Sequence, residues 1–175
     1  AHHLLDGLFN KDAGGQAHAL LTAPGDRGWL HMLKKDATLT WEAWDPLYKP
    51  NLDGNHLRSA HPAYHLSRHV LGIQPHRPGW AGIRLRPHPG KLTQAEGCVP
   101  TPRGAIKVSW QSATDARFIC EIKPPANTPL DISLPAVHTK SSLWLDGKPA
   151  PNARLVGGRW TVTQALLGRH VFEVR

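Results

Sequence analysis

Cysteine is scarce: the 175 residues hold two, Cys98 and Cys120. Two thiols do not make a disulfide framework. They could pair across neighbouring strands; the expectation is two free thiols. No uninterrupted apolar run reaches the roughly eighteen residues of a membrane span, so no membrane partner is expected. No basic-then-apolar leader stands at the start. Internal repeats and low-complexity tracts are lacking too. With 40% hydrophobic residues and a modest charge excess, the composition excludes a disordered chain. The first residue is Ala1, not Met, and the opening segment reads as a helix in mid-pattern. The expectation is that processing or truncation has removed what came before.

What is present divides in two. Residues 1–74 carry 7 Lys+Arg against 7 Asp+Glu, while residues 75–175 carry 14 against 6, the whole of the net +8. Proline moves from 4 to 12 across the same division, and histidine from 8 to 4. Two compositions imply two structural units, 1–74 and 75–175. In the first, apolar residues recur at helical spacing over 2–9, 16–22 and 29–33. A fourth helix is expected from about Ala60 to Leu71, with Pro62 in its first turn and Gly72 as its C′ residue. Between them, Lys35 to Asn55 has no period and is dense in Trp, Tyr, Asp, Glu and Asn. Long loops of that kind are usually functional.

After Gly72 the period changes to two. Strands are expected at 83–86, 105–110, 118–123, 130–134, 143–145, 160–162 and 171–174, separated by turn signals such as Asp146-Gly147 and Gly157-Gly158. Short strands at this spacing predict an antiparallel β-sandwich. Gln74 to Gly82 reads as a Pro-rich linker. The four helices are too short to bury full apolar stripes. They are expected to end a larger helical domain, whereas the sandwich can close its own core. The fold class is therefore α+β in sequence order.

Two clusters could carry chemistry. In Leu39-Thr40-Trp41-Glu42-Ala43-Trp44-Asp45-Pro46, two indoles flank a carboxylate and a second carboxylate stands three residues on. Trp faces stack on the C–H face of sugars and shield a carboxylate from water, which raises its pKa and suits it to proton transfer, and sugar-cleaving enzymes work with paired carboxylates. The plain alternative is a loop with two packing Trp and a capping Asp. In Asn51-Leu52-Asp53-Gly54-Asn55-His56, Asp, Asn and His could hydrogen-bond vicinal hydroxyls; the alternative is an Asx-type turn.

Three other features read differently. His61, His65 and His69 fall at i, i+4, i+8, a ligand spacing, but no Cys or clustered carboxylate joins them. They read as surface or packing residues, and no metal or cofactor is assigned. The basic residues of the second half alternate along strands without forming runs, so a solvated face is expected and no nucleic-acid partner. Trp80, Trp110, Trp144 and Trp160 leave open a non-catalytic carbohydrate-binding or structural module. Strand parity turns Trp110 and Trp160 toward the core and Trp144 away from Leu143 and Leu145.

Taken in order, several words are recognisable. They are D-R-G-W-L-H-M-L at 26–33, T-L-T-W-E-A-W-D-P-L-Y-K-P-N at 38–51 and D-G-N-H at 53–56, then L-G-I-Q-P at 71–75, P-G-W-A-G-I-R-L-R-P-H-P-G at 78–90 and P-P-A-N-T at 124–128. The series resembles the C-terminal part of glycoside hydrolase family 78, the bacterial α-L-rhamnosidases. The resemblance implies the last helices of an (α/α)6 barrel followed by a β-sandwich. It implies that Glu42 is the general base of an inverting hydrolysis and that His56, in the pair with Asn55, contacts the sugar. Trp41 and Trp44 would line the pocket, with Asp45 and Asp53 bracing the loops. The implied partners are a rhamnose-containing carbohydrate and an upstream part of the same enzyme. The sequence departs from the family at Gly54, where an aromatic residue is common, and at Leu57-Arg58-Ser59 after the histidine. The family's general acid lies in an upstream acidic loop. Asp6, Asp12, Asp26 and Asp36 lack its surroundings, so the chain is expected to be inactive alone.

Overall fold

The computed structural model describes residues 2–113, 116–166 and 168–175. Within them the chain forms two units, Ala1–Leu66 and Ser67–Arg175.

The first unit is helical. Helices α1 (His2–Asn10), α2 (Gly14–Leu21) and α3 (Trp29–Lys34) occupy the three periodic stretches. Helix α1 buries Leu5 and Phe9, four residues apart and so on one face. The Phe9 ring meets His18 of α2 edge-on at 6.0 Å and stacks on His65 at 5.8 Å. The aperiodic segment after α3 has no regular element until a 3₁₀ turn at Leu57–Ser59. The expected fourth helix is shorter in α form than its pattern suggests. Helix α4 spans His61–His65, with Pro62 in its first turn, and the chain continues as a π-helical turn, Leu66–Val70.

The second unit is a two-sheet sandwich. One sheet orders β1 (Ile73–Arg77), β2 (Gly82–Leu85), β6 (Thr128–Pro135), β10 (Arg159–Leu166) and β9 (Arg154–Val156). The other orders β3 (Gln94–Val99), β4 (Ile106–Ala113), β5 (Arg117–Lys123), β11 (His170–Val174), β7 (Leu143–Leu145) and β8 (Lys148–Pro149). All neighbours are antiparallel except β2 and β6, which pair in parallel. The linker read at Gln74 to Gly82 is instead β1, a 3₁₀ turn at Pro78–Trp80 and the start of β2. Pro75 is tolerated because β1 is an edge strand, and the pairing slips between Pro75 and Arg77.

Alternation builds the core. Ile106, Val108 and Trp110 of β4 point inward with Phe118, Cys120 and Ile122 of β5, and Leu130, Ile132 and Leu134 of β6 face them from the other sheet. Trp110 is 1% exposed, and its indole N–H donates to the Val70 carbonyl at 3.1 Å. Trp160 pairs in register with buried Leu134 and is half-buried, its N–H donating to Ser141 Oγ at 3.1 Å. Trp144 is half-buried under the Arg175 guanidinium, 3.9 Å from the ring centre. Both cysteines are free, Cys98 exposed on β3 and Cys120 buried on β5. Strand β4 lies between them.

Two turns carry the expected left-handed backbone. Asp146 and Gly147 have φ of 49° and 78°, and Gly157 and Gly158 have 56° and 75°, so both hairpins turn on residues that tolerate positive φ. Gly72 is required twice over. Its φ is +93°, and a Cβ there would lie 2.3 Å from the Pro87 nitrogen. That close approach lets the Arg86 N–H donate to the Gly72 carbonyl at 2.8 Å.

Candidate functional site

The segment from Lys35 to Ala60 builds its own frame. The backbone near Thr40 runs beside that near His56. The His56 N–H donates to the Thr40 carbonyl at 2.8 Å, and the Thr40 hydroxyl donates to the His56 carbonyl at 3.1 Å. Two residues on, the Glu42 N–H donates to the Asp53 carbonyl at 2.9 Å. The two clusters that are separate in sequence thus lie side by side.

The loop between them is two successive turns. Tyr48 N–H donates to the Asp45 carbonyl and Leu52 N–H to the Lys49 carbonyl, each at 3.0 Å. The Asp45 carboxylate fixes the first turn by accepting from the Leu47 N–H at 2.9 Å, and the His31 Nε2 lies 2.6 Å from its other oxygen. The Leu47 N–H and then the His31 ring hold the Asp45 carboxyl below its ordinary value. The Asp53 carboxylate accepts from the Asn55 N–H at 3.0 Å, an Asx turn, and stands 3.7 Å from His56 Nδ1. Both aspartates therefore brace the loops. Asn55 is exposed and His56 half-buried beside them.

A cavity of about 200 Å³ is lined by Trp29, Met32, Trp41, Glu42, Ala43, Trp44, Arg58, Ser59 and His61. Trp29 sets its inner wall, meeting Trp44 edge-on at 5.1 Å while its N–H donates to the Ser59 carbonyl at 2.8 Å. Of the residues singled out from sequence, Trp41, Glu42 and Trp44 share this wall. Asn55 and His56 lie outside the lining, on the strand of chain paired with it. Arg58, expected only as a departure from the family beside the pocket, and His61, expected only as one of three spaced histidines, also line the cavity. An omission is Lys49, whose ammonium contacts Glu42 Oε2. Lys49 first, then the Asp53 N–H at 3.2 Å from the same oxygen, hold the Glu42 carboxyl below its ordinary value. Glu42 is thus exposed and ionised across the neutral range, the reverse of the shielded, raised carboxyl expected from its two tryptophan neighbours in sequence.

A larger concavity of about 600 Å³ lies on the outer face of the six-stranded sheet, with Gln94, Glu96, Ser109, Gln111, Glu121 and Arg169 around it. Its Glu121 is engaged through both oxygens by Arg169. The smaller cavity has a carboxylate and three indoles in one lining, and so it is the candidate for chemistry despite its size.

Comparison with known proteins matches two family models to successive stretches of the chain. Residues 1–70 match the family model of the bacterial alpha-L-rhamnosidase 6 hairpin glycosidase domain, and residues 72–143 that of the bacterial alpha-L-rhamnosidase C-terminal domain. An alpha-L-rhamnosidase of Alteromonas sp. is 33% identical over 119 residues, which is 63% of this chain and 13% of that protein. The alpha-L-rhamnosidase structure from Dictyoglumus thermophilum superposes with a TM-score of 0.90 at 19% identity, over 99% of this chain and 20% of that one. The Streptomyces avermitilis alpha-L-rhamnosidase, solved with L-rhamnose, gives 0.82 at 23% identity, over 98% and 17%. The chain thus spans a small part of the length of these relatives. With helices followed by a β-sandwich, and with both family models in that order, the chain belongs to the bacterial α-L-rhamnosidase family, as a C-terminal part of it.

Proposed function

We propose that this chain supplies the general base and part of the sugar pocket of an inverting α-L-rhamnosidase-like glycoside hydrolase. The observation that carries the reading is Glu42: an ionised carboxylate on the wall of a cavity that Trp41 and Trp44 also line. In such a reaction the oxygen of water bonds to the anomeric carbon as the glycosidic C–O bond breaks. Glu42 takes the water's proton, and the departing oxygen takes one from a general acid. Trp41 and Trp44 offer indole faces to the ring. His56 and Asn55 offer hydrogen bonds to hydroxyls, with Asp53 holding the imidazole and the loop. The rhamnose found in the S. avermitilis structure supports a deoxysugar of that class. Of the positions that depart from the family, Arg58 and Ser59 line the cavity and Gly54 lies beside Trp41, so they bear on which sugar substituents the pocket takes.

The acid comes from an upstream part of the same enzyme, which is also the helical unit's partner. Nine of the twelve exposed large apolar side chains among the described residues lie in residues 1–66, including Leu33, Leu47 and Leu57. A helical unit with so much apolar surface in water suits packing against further helices.

The test is an assay of the 175 residues alone and joined to the upstream region, with aryl α-L-rhamnosides. The joined protein is expected to release sugar whose first-formed anomer is inverted, read by proton NMR, and the chain alone to release none. Robust turnover by the chain alone, or retention of configuration, would overturn the proposal.

A further inference from the structure

The two oxygens of Glu42 are not equivalent. Oε2 receives both the Lys49 ammonium and the Asp53 N–H. Among the described residues, no hydrogen-bond or ion-pair partner is recorded on Oε1. The Lys49 side chain is not there by the accident of a long surface residue. The two turns that run from Asp45 to Tyr48 and from Lys49 to Leu52 fold the loop back, and Pro50 restricts the backbone of Lys49 itself. Asp45, tied to Leu47 and to His31, fixes the first of those turns.

A carboxylate acting on water needs one lone pair aimed at one place. Unrestrained, it rotates about its last side-chain bond and presents either oxygen. Two donors on one oxygen occupy that oxygen's acceptor sites and stop the rotation, leaving the other as the open acceptor. We infer that Lys49 is a positioning residue of this site: with the Asp53 amide it anchors Glu42 through Oε2, so that Oε1 is the atom that accepts the proton of the attacking water. This rests on the reading of Glu42 as the base and adds to it an atom and a partner. The ammonium also keeps the carboxylate ionised in acid, alongside His56. The other charged or titratable groups near Glu42 are Asp53, Arg58 and His61.

The test replaces Lys49 by Met and by Arg. In the 175-residue chain, the Glu42 side-chain carboxyl is followed by carbon-13 NMR as pH is lowered. Lys49→Met should move its titration midpoint upward, and Lys49→Arg should leave it low. In the enzyme joined to its upstream region, Lys49→Met should move the acid limb of kcat/KM to higher pH. Turnover should fall about tenfold with KM changed less than about twofold, and Arg should restore most of it. A midpoint and an acid limb both unmoved in Lys49→Met would overturn the inference. Glu42→Gln, run beside it, separates the two failures. If Glu42→Gln keeps full turnover, the base assignment falls; if it is inactive while Lys49→Met behaves as wild type, the role of Lys49 alone falls.

Discussion

Glu42 and Asp53 hold each other through both backbone and side chain. The Glu42 N–H donates to the Asp53 carbonyl at 2.9 Å, and the Asp53 N–H donates to the Glu42 carboxylate at 3.2 Å. Eleven residues apart in sequence, they make one site out of two loop clusters. The Asp53 side chain is left for the Asn55 amide and the His56 ring. The candidate base and the candidate sugar contact therefore share one support.

Acid should weaken this protein in two steps. Burial first, then the neighbouring His2, pushes the His61 imidazole below its ordinary value. A histidine depressed in the fold stabilises it above the unfolded value of about 6.5 and loses that contribution as pH falls. Glu42 and Asp45 are also depressed, so their contributions are complete above about pH 4 and disappear as pH falls through their folded values. Thermal midpoints measured from pH 7 to pH 2 should therefore decline from below about 6.5 and again below about 4. In Asp45→Asn the lower decline should shrink. An identical lower decline in wild type and Asp45→Asn would contradict the role given to Asp45.

The thiols should separate cleanly. Cys98 is exposed, while Cys120 is fully buried and burial pushes its thiol up. An excess of a thiol-reactive dye should label one cysteine in native protein and two in strong denaturant. Peptide mapping should place the native label on Cys98. Rapid labelling of Cys120 in native protein would contradict the strand register.

Gly72→Ala should destabilise the sandwich by on the order of 3 kcal/mol, since it combines a left-handed backbone with a Cβ against the Pro87 backbone. Phe172→Ala, at a fully buried position of β11, should cost about 3–5 kcal/mol through the cavity it leaves. Urea unfolding followed through the tryptophan signal checks both. A loss below about 1 kcal/mol for either would mean that the core relaxes more than this packing allows.

Much of this was legible in the sequence because periodicity reports burial directly. The helical stretches at 2–9, 16–22 and 29–33 and seven strands follow from which residues face the core. The strands without a clear sequence signal are those that lack a run of buried apolar residues alternating with exposed polar ones. Strand β1 buries its first two residues and exposes Pro75, His76 and Arg77. Strand β3 is an edge strand with no buried residue, and its Gly97 is the gap into which Leu71 fits; a Cβ there would lie 2.9 Å from Leu71 Cδ2. Strands β8 and β9 are two and three exposed residues long.

At the site, residue type left plain alternatives open, and the resemblance to the rhamnosidases pointed to Trp41, Glu42, Trp44, Asn55 and His56. It could not give their neighbours, because an aperiodic loop has no spacing that aims a side chain. Lys49, Arg58, His31 and His61 enter only through the fold of the loop. The one available signal for Lys49 was its place between Asp45-Pro46 and Pro50-Asn51, two turn-forming pairs that bend the chain back on itself.

The assignment of Glu42 is tested most directly by the turnover of Glu42→Gln in the enzyme that joins this chain to its upstream region. With an aryl α-L-rhamnoside, kcat should fall by about 10²–10⁴-fold, the span of general-base catalysis, while KM stays within about threefold. A kcat within twofold of wild type would contradict Glu42 as the base.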